Sequence, residues 1–315
     1  MRKILTITLN PAVDLDSSVA EVTPGPKLRC ATPAIDPGGG GINISRAVAE
    51  LGGDSTALVA AGGGMGDVLI GLLRREAVST RIIEAPGETR QSLSVIETGS
   101  GAQYRFVFPG PAWNTAEVAR AVAEISDAVP RDGLVILSGS QPQGFADDFA
   151  ARLLQVAAVK GAGVGLDSSG PALRALRAGR IKGLEILRLD QAEAAELAGA
   201  TLPDAAASAK FAADLVARGL ARIVVLARGA EGSVLATAAG QWFCNAAKVP
   251  VASKTGAGDS FVAGFALALA SGSAPDLALQ HGVAAASAAV MTKATTLCRR
   301  DDAEALRAEC RVSKL

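Results

Sequence analysis

Short runs of β-branched and aliphatic residues alternate along this chain with longer stretches rich in Ala, Leu and Glu. The clearest runs are residues 4–9, 134–137, 164–166 and 223–226, whose length and composition are typical of buried strands. Strands that alternate with helices build βαβ units, in which helices cover both faces of a mostly parallel sheet. This rhythm predicts an α/β fold around one large central sheet.

The helical stretches between these runs complete the pattern. We predict helices near residues 42–51, 116–128, 147–159, 191–199, 204–218, 259–271 and 276–291. The last two consist almost entirely of small apolar residues, so we expect them to pack tightly against the sheet.

Two segments interrupt the alternation, at about residues 12–35 and 89–108. In the second, RQSLSVIE and QYRFVF flank the turn-like sequence TGSGA, which predicts a β-hairpin. We interpret both segments as insertions that form a small sheet projecting from a single domain, residues 1–315. Such a sheet could cover a cleft, pair with a second subunit, or do both.

Charge and cysteine usage exclude several classes of protein. The 31 Lys and Arg balance the 31 Asp and Glu, which leaves no net field to hold a nucleic acid or an anionic membrane. The four cysteines are far apart and form no CxxC pair, so neither a disulfide framework nor a zinc site is indicated. Asp14 and Asp16 come too early for a signal peptide. We expect a cytoplasmic protein with no membrane or nucleic-acid partner.

The sequence TGAGDS at residues 255–260 precedes a strongly helical apolar run. Backbone N–H groups of Gly256, Ala257 and Gly258 would converge at the positive end of that helix, which favours an anion. Asp259 in the first turn could accept a hydroxyl proton during phosphoryl transfer. The alternative, which these six residues leave open, is that Asp259 caps the helix and the glycines form a turn.

A run of four glycines, Gly38–Gly41, is followed by Ile42 and Asn43. It is not a dinucleotide loop, because Asn43 stands where GxGxxG requires glycine, and the chain contains no GxxxxGK[ST] motif. The run would let the backbone approach a ligand, while Asn43 and Asp14 could hydrogen-bond sugar hydroxyls. A turn role for Asp14 and a helix-cap role for Asn43 remain alternatives.

Together these two motifs resemble a known family. TGAGDS resembles the C-terminal signature of the ribokinase-like (PfkB) family, and PGGGGINISRAVAELGG at 37–53 resembles its N-terminal signature, in the order that the family requires. The resemblance covers essentially the whole chain. It implies a ribokinase-like three-layer sandwich with a mostly parallel central sheet and a small projecting β-sheet lid. It also implies sugar phosphorylation with ATP and Mg²⁺, a K⁺ requirement that stays open, and a homodimer joined through the lid strands.

The resemblance also assigns residues to the acceptor sugar. Those expected to contact it are Asp14, Gly39, Gly40, Asn43, Ser138 and Gly139. A sugar phosphate further needs fixed positive charge, which arginine supplies through paired donors. The projecting strands carry four candidate cations, each of which could instead be a solvated surface residue: Lys27, Arg29, Arg90 and Arg105.

Several local sequences resemble the phosphofructokinase branch of the family. They are PxxKLRC before the glycine run, TRQSLSV, QYRFVFPG, SGSQPQG at 138–144, DSSG at 167–170 and TLCRRDD. In related 1-phosphofructokinases and tagatose-6-phosphate kinases the third glycine of the run is commonly Lys. Gly40 occupies that position here, which favours conversion of fructose 6-phosphate to fructose 1,6-bisphosphate. Fructose 1-phosphate, tagatose 6-phosphate or another small sugar are the alternatives.

The nucleotide side departs from the family pattern. In LRLDQAEAAEL, Arg188, Asp190 and Glu193 stand where Lys, Asn and Glu are usual, and Glu193 keeps the carboxylate expected to hold Mg²⁺ through water. Asp190 would weaken ATP binding unless a cation or Arg188 offsets it. The alternative is a solvated Asp at a helix start.

The resemblance places the turn ARGAEG at 227–232 on the nucleotide as well. The implied contacts are Ala227, where this branch typically has Ser, together with Gly229, Gly232 and Thr255. Because the nucleotide motifs depart from the family pattern, an alternative to an enzyme stays open: a non-catalytic sugar-phosphate or nucleotide sensor built on a kinase fold. The intact Asp259 argues against it, because a sensor needs no base.

Overall fold

A computed structural model describes residues 1–76, 78–167, 169–293 and 295–315. Ser168 of the DSSG motif lies outside the described residues. Within them the chain alternates strands and helices as expected. In chain order the strands are β1 (Ile4–Thr8), β2 (Ala12–Val19), β3 (Ala34–Gly38), β4 (Ser55–Ala61), β5 (Ser79–Glu84), β6 (Arg90–Glu97), β7 (Gln103–Val107), β8 (Leu134–Ser138), β9 (Gly163–Asp167), β10 (Leu184–Leu189), β11 (Ala221–Ala227), β12 (Gly232–Thr237), β13 (Gly240–Asn245) and β14 (Val312–Lys314).

The helices follow the predicted stretches within a few residues and add three that were not predicted, α2, α5 and α10. They are α1 (Gly40–Glu50), α2 (Gly63–Arg75), α3 (Thr115–Ala128), α4 (Phe149–Ala158), α5 (Pro171–Arg177), α6 (Gln191–Ala198), α7 (Ala205–Ala217), α8 (Ala257–Ala270), α9 (Pro275–Ala289) and α10 (Arg300–Leu306). In the described part of the chain, no helix is long and apolar enough to span a bilayer.

The large sheet has the strand order β14-β13-β12-β11-β10-β9-β8-β1-β4-β5. All pairs from β11 to β5 are parallel, and β12, β13 and β14 extend one edge in antiparallel fashion. Along β8, Leu134 and Ile136 pack into one hydrophobic cluster and Val135 and Leu137 into another. Both faces of the sheet are therefore covered, which confirms the predicted mostly parallel three-layer architecture.

A separate four-stranded sheet has the order β3-β2-β6-β7. β6 and β7 form the predicted antiparallel hairpin, and β2 pairs with β6 in parallel. Side chains alternate between the two faces of this sheet. The register places Asp36, Asp14 and Ser92 in one row, and the apolar row Ile35, Leu15, Leu93 and Phe106 beside it on the opposite face. The predicted small sheet is confirmed, while the single-domain division remains a prediction.

Helix α2 shows why sequence patterns can miss an element. Three of its first four residues are glycines, which disfavour a helix interior. The carboxylate of Glu88, distant in sequence, accepts the N–H groups of Gly64 and Met65 at 3.2 and 3.1 Å. This cap satisfies two of the free donors that open any helix. The sequence of α2 alone therefore does not show what stabilises its start, because Glu88 lies outside the helix.

The packing of α8 against α9 depends on glycine, which gives a stability prediction. A β-carbon at Gly264 would lie 2.8 Å from the His281 carbonyl oxygen and 3.0 Å from Ala285 Cβ. Gly264→Ala should lower the free energy of unfolding by about 1–3 kcal/mol through overpacking.

The control is Gly71→Ala in the middle of α2, where a β-carbon would meet nothing within 4 Å. This substitution should raise stability by up to about 1 kcal/mol, because alanine favours helix. Urea denaturation of both variants measures the difference. Equal effects of the same sign would contradict close packing between α8 and α9.

Candidate active site

The first turns of α1 and α8 meet where the two sequence motifs predict a substrate cleft. Asn43 Nδ2 donates a hydrogen bond of 2.9 Å to Asp259 Oδ2. α1 follows Gly39, with φ 128°, and α8 follows Gly256, with φ 77°, and neither helix start has a side-chain cap. Because a helix N-terminus carries partial positive charge and unsatisfied N–H groups, the two starts together favour an anion.

Three other helices begin with an N-cap side chain that accepts a backbone N–H. Asn114, Asp190 and Asp204 each accept a backbone N–H at the start of α3, α6 and α7. Asp259 instead stands within the first turn of α8, with its carboxylate bound by Asn43. The alternative that Asp259 merely caps the helix is therefore not what the structure shows.

The glycine run lies against neighbouring strands so closely that side chains are excluded. A β-carbon at Gly39 would come within 2.7 Å of Thr8 Cγ2, and one at Gly40 would overlap Ser138 Oγ. Ser138 is 2% exposed. The backbone before α1 can therefore reach the ends of β1 and β8 only because these positions lack side chains.

A polar chain links the carboxyl ends of three neighbouring parallel strands. Ser138 Oγ on β8 donates to Asp167 Oδ2 on β9 at 3.1 Å, and Arg188 Nη1 on β10 donates to Asp167 Oδ1 at 3.0 Å. The Arg188 guanidinium also lies close to the Gly256–Gly258 segment, 3.1 Å from where a β-carbon at Gly258 would stand. Ligands of open α/β sheets bind outside these strand ends.

Asp167 is the member of this chain that we did not predict. It appears in the sequence only within the DSSG motif, and no role was assigned to it. The sequence signal that could have identified it is its position, a carboxylate directly after the predicted buried strand at 164–166.

The electrostatics of Asp259 suit a proton acceptor. Burial raises the pKa of its carboxyl to about 7, and the nearby Asp167 carboxylate adds to this rise. The hydrogen bond from Asn43 and the charges of Arg188 and Arg46 act in the opposite direction. A base whose pKa lies near neutrality is largely ionised just above pH 7 and still accepts a proton readily.

Asp14 and Arg90 lie close enough to influence each other's ionisation. Burial raises the pKa of Asp14 to about 6, while Arg90 and, to a smaller extent, Arg105 lower it. Arg90 Nε donates to the Asn10 carbonyl oxygen at 3.1 Å, which ties the start of β6 to the loop after β1. Burial lowers the pKa of the Arg90 guanidinium, and Asp14 opposes that change.

The other two candidate cations lie elsewhere. Lys27 and Arg29 are exposed on the loop between β2 and β3. The expectation that they lie on projecting strands is wrong, because residues 20–33 contain three prolines and form no strand. Arg90 begins β6 and Arg105 lies within β7, as expected.

Asp190 and Glu193 form a reciprocal cap at the start of α6. Asp190 Oδ1 accepts the Glu193 N–H, and Glu193 Oε2 accepts the Asp190 N–H, both at 2.8 Å. Burial raises the pKa of Glu193 to about 7, and the carboxylates of Asp190 and Asp167 contribute to the rise. Neighbouring carboxylates of this kind are oxygen donors that fit a hard divalent cation such as Mg²⁺.

The turn after β11 is fixed by contacts with β13 and α7. Gly232 has φ 126°, and a β-carbon there would overlap the Cys244 carbonyl. Arg228, which follows Ala227, is buried, and its Nη1 donates to Ser208 Oγ at 2.7 Å. By contrast, nothing lies within 4 Å of a β-carbon at Gly229. Packing therefore explains the glycine at 232, whereas the space at Gly229 is open.

Thr255 and Gly139 flank the two loops of the cleft. Thr255 is exposed, and its N–H donates to Ser253 Oγ at 3.1 Å. The N–H of Gly139, which follows β8 with φ 93°, donates to the Asp167 carbonyl at 3.2 Å.

Residues 3–302 match the pfkB family of carbohydrate kinases. The chain belongs to this family. The pfkB assignment and the predicted class of enzyme, a sugar phosphotransferase, are thereby confirmed.

Curated relatives of this pfkB kinase align over nearly its whole length. ATP-dependent 6-phosphofructokinase isozyme 2 of Mycobacterium tuberculosis H37Rv is 37% identical over 302 residues, 96% of this chain and 88% of the relative. The isozyme 2 of Escherichia coli K12 is 36% identical over 304 residues, 96% and 97% of the two chains. A 1-phosphofructokinase of Xanthomonas campestris is 31% identical over 305 residues, 96% and 92%.

Solved structures confirm the predicted fold. Phosphofructokinase-2 from Escherichia coli in complex with potassium superimposes with a TM-score of 0.92 and 36% identity, covering 98% of this chain and 99% of the other. The same enzyme in complex with fructose-6-phosphate gives 0.90 and 35% over the same shares. Ribokinase of Arabidopsis thaliana, at 18% identity and a TM-score of 0.76 with 97% and 98% covered, shares the fold.

The raised pKa of Asp259 predicts a pH-dependent stability effect. The folded-state pKa is about 7, while an unfolded Asp titrates near about 3.9. Between these values the native state binds more protons than the unfolded state, so wild type loses stability as the pH rises. Asp259→Asn should therefore be more stable than wild type at pH 8, and the gain should diminish toward pH 5.

Asp127→Asn is the control, because it removes the same charge from an exposed position in α3. Chemical denaturation at pH 5, 6, 7 and 8 measures both variants. A stability difference between Asp259→Asn and wild type that is the same at all four pH values would contradict the buried-carboxylate account.

Proposed function

We propose that this pfkB-family kinase transfers the γ-phosphoryl group of ATP to the 1-hydroxyl of fructose 6-phosphate, which yields fructose 1,6-bisphosphate and ADP. The observation that carries the proposal is the position of Asp259, hydrogen-bonded by Asn43 in the first turn of a helix whose start has no side-chain cap. A base and an anion site thus share one helical turn.

In the reaction, the acceptor oxygen attacks the γ-phosphorus as its proton passes to the Asp259 carboxylate. The bond between the γ-phosphorus and the bridging oxygen breaks, and ADP leaves. Charge on the transferring group is stabilised by the amides of Gly256, Ala257 and Gly258 at the positive end of α8. Since these donors are already oriented by the helix, they need little rearrangement.

Arg188 supports the same step from β10. The Nη atoms of its guanidinium lie beside Gly258. A phosphate oxygen at the start of α8 would accept from these atoms, through the charge-assisted bonds that arginine makes with phosphates. Arg188 thus offsets the negative charge that Asp190 brings to the nucleotide side.

The acceptor sugar is proposed to lie between the glycine run and the polar face of the small sheet. Asp14 and Asn43 would bind its hydroxyls, and the backbone at Gly39, Gly40 and Gly139, with Ser138, would line its other side. The 6-phosphate would meet Arg90 and Arg105. Lys27 and Arg29 would reach it from the exposed loop of this chain or of a second copy.

Gly40 and the named relatives favour fructose 6-phosphate over other acceptors. A side chain at position 40 would displace Ser138 Oγ, which Asp167 holds at 3.1 Å. The pocket therefore has no room for the lysine common in related kinases. Relatives named 6-phosphofructokinase match at 36–37% identity, whereas those named 1-phosphofructokinase match at 29–33%. Phosphorylation of fructose 1-phosphate is the second candidate.

The proposal includes ATP with Mg²⁺. Glu193 is the residue that would hold the cation, which when bound offsets the charge of the triphosphate. The nucleotide would lie along Asp190, Ala227, Gly229, Gly232 and Thr255. K⁺ is a further ion of the proposal, because one similar structure is named as a potassium complex.

We further propose a homodimer formed through the small sheet, in the cytoplasm. Ile35 and Phe106 of the apolar row are 45% and 49% exposed, and a second copy could cover them. The cysteines are free, as suits a reducing compartment.

A panel assay tests the substrate. Purified enzyme with ATP and Mg²⁺ should give its highest kcat/KM with fructose 6-phosphate when compared with fructose 1-phosphate, tagatose 6-phosphate and fructose. Preference for another acceptor would reject the assignment of the sugar. Absence of turnover with every acceptor would reject the kinase activity.

The role of Asp259 as base predicts that Asp259→Asn retains sugar-phosphate binding and loses about 10²- to 10⁴-fold in kcat. Isothermal titration and steady-state assays measure the two quantities. Turnover within about threefold of wild type would remove Asp259 from proton transfer, because that is far below the effect of losing a general base.

The proposed phosphate contact predicts that Arg90→Ala raises the KM for fructose 6-phosphate much more than the KM for ATP. The side chain removed is a bidentate donor suited to phosphate. Arg81→Ala, at an exposed position on β5, is the matched control. An unchanged sugar KM would exclude Arg90 from the phosphate pocket.

A further inference from the structure

Arg46 lies one helical turn after Asn43 on α1 and connects the active-site cleft to α2. Its Nη1 donates to Asn43 Oδ1 at 3.3 Å and to the Pro37 carbonyl oxygen at 3.5 Å. Its Nε forms an ion pair with Glu76 at the end of α2. The Arg46 side chain is only 11% exposed, so these contacts fix a largely buried guanidinium.

The contacts of Arg46 determine which way the Asn43 amide faces. The two ends of an asparagine side chain have nearly the same shape, so hydrogen-bond partners decide its orientation. Here Oδ1 accepts from Arg46 while Nδ2 donates to Asp259 Oδ2. A flipped amide would set two donors against each other at Arg46 and two acceptors at Asp259. Both partners therefore select the same orientation.

We propose that Arg46 is a positioning residue for phosphoryl transfer: it fixes the Asn43 amide and, through it, the Asp259 carboxylate that accepts the proton. This inference rests on the proposed role of Asp259 as base. With Oδ2 held by Asn43, rotation of the carboxyl group is restricted and the other oxygen can face the acceptor hydroxyl. A displacement of about 1 Å at a reacting group can cost about 10²-fold in rate.

The planar guanidinium suits this role better than lysine would. One nitrogen of Arg46 binds Glu76 while another reaches both Asn43 and Pro37. A lysine ammonium is a single point charge on a flexible stem and cannot hold this geometry. Glu76, at 32% exposure, holds the guanidinium on the other side, and both residues line a cavity of about 560 Å³.

The charge of Arg46 gives a second, independent readout. The groups that act on Asp259 are Asp167 from β9, Arg188 from β10, and Asn43 and Arg46 from α1, and Arg46 lowers the pKa of the Asp259 carboxyl. Arg46→Met should therefore move the acid limb of the kcat/KM profile to higher pH. Arg46→Lys keeps the charge and should leave that limb in place, although it loses the geometry.

The decisive experiment is a double-mutant cycle between Arg46 and Asn43, with kcat as the readout. In the otherwise wild-type enzyme, Arg46→Met should lower kcat about 10- to 100-fold. In an Asn43→Ala background the same substitution should lower it less than about threefold, because the link to Asp259 is already broken. Arg74→Met, exposed in the last turn of α2, removes the same charge and should be neutral.

Two further variants separate positioning from folding. Arg46→Lys should fold as wild type does and still show a reduced kcat. Arg46→Met combined with Glu76→Met leaves no unpaired carboxylate, so a low kcat with wild-type thermal stability supports positioning.

The possible failures are distinguishable. Equal losses in both Asn43 backgrounds, or an unchanged kcat in Arg46→Met, would overturn the inference while leaving the proposed function intact. A wild-type enzyme without phosphoryl transfer to any acceptor would overturn the proposed function and, with it, this inference.

Discussion

The hydrogen bond between Asn43 and Asp259 is the contact on which the rest of the site depends. It joins two segments 216 residues apart in sequence and brings together the starts of two helices whose first N–H groups have no side-chain cap. Each helix start alone would be a weak anion site. Together they place positive potential on one cleft, with a carboxylate of raised pKa between them. Phosphoryl transfer needs this combination of positive potential and a proton acceptor.

Next to this contact, the ends of three parallel strands bring together groups that act on the pKa of Asp259. β8, β9 and β10 end side by side in parallel, so Ser138, Asp167 and Arg188 meet although they are distant in sequence. A buried ion pair such as that of Arg188 with Asp167 adds little to stability compared with apolar packing, and removal of one partner is costly. Here it holds a guanidinium beside Gly258. Position 188 therefore still carries a positive charge next to the start of α8, as a lysine there would.

Much of this could be predicted from the sequence, because the decisive signals were local. TGAGDS and the glycine run each combine conformational freedom with a helix start, and alternating strand and helix patterns gave the fold. What could not be predicted depends on distant partners. The start of α2 is capped by Glu88 from a distant loop. Asp167 acquires its contacts from the neighbouring strands β8 and β10. Arg46 acts through Asn43, and its other partner, Glu76, follows α2. The prediction for Lys27 and Arg29 was wrong because it rested on their charge. The sequence does not show which residues of a segment pair with a neighbouring strand.

The central claim is that the transferred phosphoryl group lies at the start of α8. A crystal structure with ADP, aluminium fluoride, Mg²⁺ and fructose 6-phosphate tests it most directly, because aluminium fluoride mimics the phosphoryl group in the transition state of transfer. The account predicts this complex within hydrogen-bond distance of the amides of Gly256, Ala257 and Gly258, with the sugar 1-hydroxyl next to Asp259. A fluoride complex bound elsewhere in the cleft, with the Asp259 carboxylate turned away from the sugar, would contradict it.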